Sequence, residues 1–142
     1  MNFTVKILGT ASALPTTQRN PSAQIVDVRG RLFMIDCGEG AQIQLRKAGV
    51  SFLKIEHICL SHIHGDHIFG IFGLLSTMGL LARKAPLNIY APEGFAPILE
   101  FFKVQFGEGL LFDINFTPLK MSVPELVYQS RTTELLAFPL NH

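Results

Sequence analysis

The sequence predicts an α/β layered domain, and three observations carry that prediction. Short runs of alternating or continuous apolar residues read as strands, and longer apolar runs between them read as helices. The 142-residue length is that of one ordinary domain able to bury a real core, and no internal repeat or low-complexity linker divides it.

The first strand is read from Phe3, Val5 and Ile7, which alternate with polar residues up to Gly9-Thr10 and should bury one face. Residues 11–22 contain Pro15, Thr16, Arg19, Asn20 and Pro21 without apolar periodicity, so they form a loop, one long enough to have a task. Residues 23–28 and 31–35 flank Arg29-Gly30 as a hairpin. The second of these strands ends on Asp36-Cys37-Gly38-Glu39-Gly40, and residues 41–48 start a short helix closed by Gly49. Asp36 has two readings at this stage, as the acceptor that orients a ligand histidine or as the cap of that helix.

Residues 55–60 are a largely apolar run that reads as a buried strand, with His57 read as a structural or surface residue. From His67 to Arg83 the chain is apolar almost all round and carries Gly70, Gly73 and Gly79, which predicts a helix sandwiched between layers. Residues 87–90 are a strand, and Pro92-Glu93-Gly94 is a turn. Residues 95–106 form a helix with Pro97 in its first turn and Ile98, Leu99, Phe101 and Phe102 facing inward. Residues 111–117, 126–129 and 133–139 read as further strands.

Composition narrows the function classes. Charged residues are 16% and apolar residues 48%, against about 25% charged in a typical soluble domain. The chain is therefore not disordered, and some apolar surface awaits a cover. A net charge of +1 does not by itself call for nucleic acid, although a local basic patch stays open. Cys37 and Cys59 have no CxxC spacing and sit in apolar segments, so they are expected to be free buried thiols in a reducing cytoplasm. Residues 1–10 lack the basic start and long apolar core of a signal peptide. The apolar run 68–82 has about 15 residues, short of the 20 or so needed to span a bilayer.

The chemistry gathers in Ser61-His62-Ile63-His64-Gly65-Asp66-His67. In extended backbone His62 and His64 point the same way, because side chains repeat every second residue. Gly65 permits a turn that brings Asp66 and His67 to a second position nearby. Two histidines then serve one ion, and a carboxylate with a histidine serves the next. Neutral imidazole and carboxylate suit zinc, and two adjacent ions form a clamp that cleaves phosphate and other esters. Burying so many polar groups for packing alone would cost about 1–3 kcal/mol each. Because a catalytic zinc usually has three protein ligands, His142 is the candidate for the third imidazole of the first ion. A terminal histidine belonging to a purification tag is the competing reading.

The spacing His62-x-His64-x-Asp66-His67 resembles the ligand motif of the metallo-β-lactamase superfamily, which implies an αββα sandwich. Leu8-Gly9-Thr10, Pro15-Thr16 with Arg19-Asn20, Asp36-Cys37-Gly38-Glu39-Gly40 with Gln42, and Gly70 with Gly73-Leu74-Leu75 resemble the ribonuclease Z family, which trims the 3′ end of precursor tRNA. The resemblance is densest over residues 8–75. It implies that His62, His64 and His142 hold one zinc, that Asp66 and His67 hold the other, and that Asp66 is also the proton acceptor. It further implies precursor tRNA as substrate and a homodimer, with no membrane partner. The chain departs from the family pattern at Thr17, Ala41 and Phe72, where lysine, threonine and proline are usual. The family is also about twice as long, so the resemblance implies an N-terminal half, with a mixed sheet and helices on one face. Arg19, Arg46 and Lys47, with Arg83 and Lys84, are the basic residues available to phosphates. Two other classes compete: a hydrolase of a small phosphodiester or sulfate ester, and a non-catalytic half-domain that pairs with a partner.

Overall fold

The computed structural model describes residues 2–141, so His142 lies outside the described residues. Six strands form one mixed sheet: β1 (Phe3–Gly9), β2 (Ala23–Val28), β3 (Arg31–Cys37), β4 (Ile55–Cys59), β5 (Leu87–Pro92) and β6 (Ile114–Leu119), in that spatial order. The β1–β2 and β2–β3 pairs are antiparallel, and the remaining three are parallel. The β2–β3 turn is the expected hairpin. Arg29 (φ 55°) and Gly30 (φ 85°) both occupy the left-handed region that a tight turn between twisted strands requires.

The parallel strands are joined through α1 (Ala41–Lys47), then α2 (Gly65–Ile68) with α3 (Ile71–Leu80), then α4 (Phe95–Phe106). Successive right-handed crossovers that move one way across a sheet place their helices on one face. In register across that face run Ile25, Met34, Ile58, Ile89 and Phe116, an apolar row that meets Leu45, Leu74, Leu75 and Leu99 in the core. α3 buries Ile71, Leu74, Leu75 and Met78, at the spacing of one helical face.

The opposite face carries a different row, Val5, Val26, Phe33, His57, Asn88 and Asn115. A separate two-stranded ribbon, β7 (Glu125–Gln129) with β8 (Glu134–Ala137), covers part of it. Tyr128 of the ribbon lies edge-on to Phe33, with ring centroids 5.9 Å apart, and tilted over His57 at 4.4 Å. Its hydroxyl accepts from Arg31 Nη1 at 2.6 Å. His57 is buried, stacked on Phe33 at 4.6 Å, with Nδ1 3.0 Å from the Tyr90 hydroxyl. This is the structural role the sequence left to it. Burial holds its imidazole below the ordinary value and pushes the Tyr90 phenol up to about 12.

Several expectations are corrected. Phe3, Val5 and Ile7 do not bury a face; all three are more than half exposed, because the ribbon does not extend over the β1 edge. The 67–83 helix is two pieces broken at Phe69-Gly70, and it is not sandwiched: α3 is buried on one side, while Phe69 and Leu80 are exposed. The break brings backbones into contact. A Cβ on Gly70 would stand 2.0 Å from the Gly38 carbonyl oxygen, and Gly70 N donates to Cys37 O at 2.9 Å. On α4 the buried residues are Phe95, Leu99 and Phe102, whereas Phe101 is 64% exposed. Strand β6 starts at Ile114, three residues later than the pattern suggested. Cys37 and Cys59 are free thiols, both raised by burial, Cys59 to about 12. Among the described residues, no helix is long and apolar enough to cross a membrane.

Candidate metal centre

The site lies where β3 and β4 end on the same edge of the sheet. β3 delivers Asp36, and the segment leaving β4 delivers Ser61 to His67. Open parallel sheets place their sites at this edge, because the strands stop there and the connections diverge. Asp36 is 5% exposed and has φ 57°, a left-handed conformation that aspartate tolerates better than most residues but at some strain. Four hydrogen bonds hold it there. Ser61 N and Ser61 Oγ each donate to Oδ1 at 2.9 Å; Ser22 Oγ donates to Oδ2 at 3.2 Å, and His67 Nδ1 lies 2.6 Å from the same oxygen. Asp36 therefore does not cap α1, which begins after Gly40 with no side-chain cap.

Gly65 starts α2, and that single turn carries Asp66 and His67 round from His64, which is extended; His62 and Ile63 form a bend and not the extended run expected from the sequence. The three imidazoles cluster: the His62 ring centroid is 4.6 Å from that of His64 and 4.0 Å from that of His67. Asp66 Oδ2 is 3.3 Å from His67 Nε2. Two donors bound at 2.0–2.1 Å to one tetrahedral ion stand about 3.3–3.4 Å apart, so this pair has the separation a shared cation requires. With Nδ1 of His67 engaged by a carboxylate, Nε2 is the nitrogen left for a metal, the usual arrangement of a histidine ligand. The donor set therefore fits a divalent cation such as zinc at Asp66 and His67.

The two ion positions expected from the sequence are each represented by a pair of side chains. Among the described residues, no three His, Cys, Asp or Glu side chains converge to hold one ion. His62 and His64 are neighbours edge to face, and Asp66 with His67 form a pair, but each set is short of a third ligand. His142, expected to complete the first, is outside the described residues. Asn141 lines a cavity of about 600 Å³ together with Ser61, His62, Cys59 and Tyr90.

The basic residues are not gathered at this centre. Arg46 and Lys47 are exposed in the last turn of α1, the end directed away from Asp36. Arg19 is exposed in the loop that ends at Ser22, with Nη1 3.5 Å from Thr10 Oγ1. Arg83 is not available to phosphates at all. It is buried, donates to the carbonyls of Leu53, Ala85 and Pro86, and stacks on Phe112. Ser22 and Ser61 were not singled out from sequence; the one available signal was the position of Ser61 directly before the first histidine.

The comparisons with known proteins agree with this architecture. Residues 3–101, more than half of the chain, match the family model described as Anti-Pycsar protein Apyc1. Ribonuclease Z of Bacteroides thetaiotaomicron is 46% identical over 144 residues, covering 99% of this chain and 44% of that protein. Ribonuclease Z of Porphyromonas gingivalis is 41% identical over 140 residues, covering 99% of this chain and 46% of that one. The crystal structure of the human short-form tRNase Z superposes with a TM-score of 0.83 at 30% identity, over 94% of this chain and 59% of that chain. The chain thus spans about half the length of the curated relatives it matches. A metallo-β-lactamase fold protein from Bacillus subtilis, 22% identical with a TM-score of 0.66, shares the fold. The chain belongs to the family described as Anti-Pycsar protein Apyc1, has the metallo-β-lactamase fold, and is similar from end to end to ribonuclease Z.

Proposed function

We propose that this chain is the N-terminal half of a zinc-dependent endoribonuclease that removes the 3′ trailer of precursor tRNA by hydrolysing a phosphodiester, acting as a homodimer in the cytoplasm. The observation that carries this reading is the 46% identity to a ribonuclease Z over 99% of the chain. The site supports it with two ligand pairs at one sheet edge, His62 with His64 and Asp66 with His67, and a buried carboxylate holding His67 in place. Zinc bound there would supply Lewis acidity toward water and phosphoryl oxygens. Asp66 takes the proton of the attacking water, and Asp36 keeps the His67 ring in one orientation throughout. The bare face of β1 and the incomplete ligand sets are what half of a sandwich would leave, since the second sheet and the remaining ligands would come from the rest of the protein.

The family model bears a name other than that of a tRNA nuclease, and in the second reading the same centre hydrolyses a small phosphodiester. Charge reversal at Arg46 and Lys47 in the complete protein separates the two: under the first reading tRNA is cleaved and the variant weakens that while sparing a small ester, and under the second the small ester is hydrolysed equally by both proteins and tRNA by neither. For the chain by itself, elemental analysis and bis(p-nitrophenyl) phosphate cleavage are the direct tests. They should find one weakly held zinc and no turnover; robust turnover would sink the half-domain reading.

A further inference from the structure

A carboxylate offers about four lone-pair positions and accepts only, while a serine hydroxyl has a single proton to give. All four positions on Asp36 are taken. Oδ1 receives Ser61 N and Ser61 Oγ, both at 2.9 Å, and Oδ2 receives Ser22 Oγ at 3.2 Å and His67 Nδ1 at 2.6 Å. The Ser61 hydroxyl proton therefore points at Asp36. Yet the same Oγ lies 3.0 Å from Nδ1 of His62. With its proton directed at the carboxylate, Oγ faces the imidazole with a lone pair, and the matching partner is an N–H. Turning the hydroxyl toward His62 instead would give up a hydrogen bond to a charged acceptor, about twice as strong as one between neutral groups.

We propose that Ser61 is a positioning residue that holds His62 in the Nδ1–H tautomer and so presents Nε2 to a divalent cation. Asp36 then sets both imidazoles, His67 directly and His62 through the serine hydroxyl. Neutral histidine binds metal through whichever nitrogen lacks the proton, so the hydrogen bond on the other nitrogen decides which one that is. This inference rests on the metal reading of the site.

The test uses Ser61→Ala and Ser61→Thr in the chain labelled with nitrogen-15. Alanine keeps the backbone N–H to Asp36 and removes only the hydroxyl; threonine restores it. Long-range proton–nitrogen spectra of the metal-free protein should show His62 protonated at Nδ1 in wild type and in S61T, and shifted toward the Nε2–H form in S61A, while His67 stays protonated at Nδ1 in all three. Zinc affinity, measured by competition with a chelating dye, should fall about 10–100-fold in S61A and return in S61T. A wild-type chain that binds zinc while S61A keeps the wild-type tautomer and affinity overturns the role of Ser61 alone. A wild-type chain that takes up no zinc overturns the metal reading and the presentation of Nε2 with it.

Discussion

Nδ1 of His67 and Oδ2 of Asp36 stand 2.6 Å apart across 31 residues of chain, joining the end of β3 to the turn of α2. The contact does two things. It ties the segment after β4 to the strand beside it, and it determines which nitrogen of His67 faces the neighbouring Asp66 carboxylate. Replacing Asp36 should therefore affect stability and metal binding together. In Asp36→Ala four donors lose their acceptor, at about 1–3 kcal/mol for each one left buried and unsatisfied. The urea midpoint should drop sharply, and zinc affinity should weaken about 10–100-fold. Asp36→Asn tolerates the left-handed backbone and should recover part of the stability but little of the affinity. An alanine variant as stable as wild type would count against the network.

Metal should stabilise the fold. A ligand that binds only the folded state raises stability by about 2.7 kcal/mol at a hundred times its dissociation constant. Thermal unfolding should move upward with added zinc and return on chelation. His67→Ala and Asp66→Ala should abolish the shift; His67→Ala should also lower the metal-free midpoint, because Asp36 loses its Nδ1 partner, whereas Asp66→Ala should leave that midpoint closer to wild type. Equal zinc shifts in wild type and both variants would place the ion elsewhere.

Gly70→Ala tests how the site loop is held. The added methyl would meet the Gly38 carbonyl oxygen, a backbone atom of the loop after Asp36 that cannot rotate away as a side chain would. Overpacking of this kind costs about 1–3 kcal/mol or more. The variant should unfold at lower denaturant and should also loosen the Asp36–His67 contact, visible as faster hydrogen exchange at Gly70 N. Wild-type exchange there would show that the two loops do not constrain each other.

His57 gives the stability a pH dependence of known sign. Burial lowers its folded pKa below the ordinary value of about 6.5. Between the two values the unfolded chain binds more protons, so stability rises with pH in that window. The contribution is complete above about pH 6.5 and is lost as the pH falls below it toward the folded value. Glu56 opposes the shift and Arg31 adds to it, but desolvation between Phe33 and Tyr128 is the largest cause. Urea midpoints measured from pH 7.5 down to 5 should decline in wild type. They should decline less in His57→Phe, which keeps the ring stack but cannot take a proton. Parallel curves for the two proteins would assign the acid sensitivity to other groups.

Arg83→Met should destabilise the chain by about 1–3 kcal/mol, because three carbonyl acceptors lose their donor in a buried position. RNA affinity of the complete protein should not change. A weakened RNA complex with unaltered stability would reverse this assignment.

The amino-acid sequence alone determined the alternation of strands and helices, the β2–β3 hairpin, α4 to the residue, and the clustering of histidines with an aspartate between Ser61 and His67. Each of these is written in local periodicity, a turn dipeptide or the spacing of chemical groups over a few residues, so no distant partner is needed to read it. Only the tertiary structure decided between the two readings of Asp36, since His67 reaches it from another strand and nothing in either segment announces the pairing. The same holds for Arg83, a charged residue whose burial depends on carbonyls brought in from Leu53, Ala85 and Pro86, and for β1, whose apolar alternation promised a covered face. Alternation says which side of a strand is apolar; whether anything lies against that side is decided by how far the neighbouring ribbon extends, and β7–β8 stops short of Phe3, Val5 and Ile7.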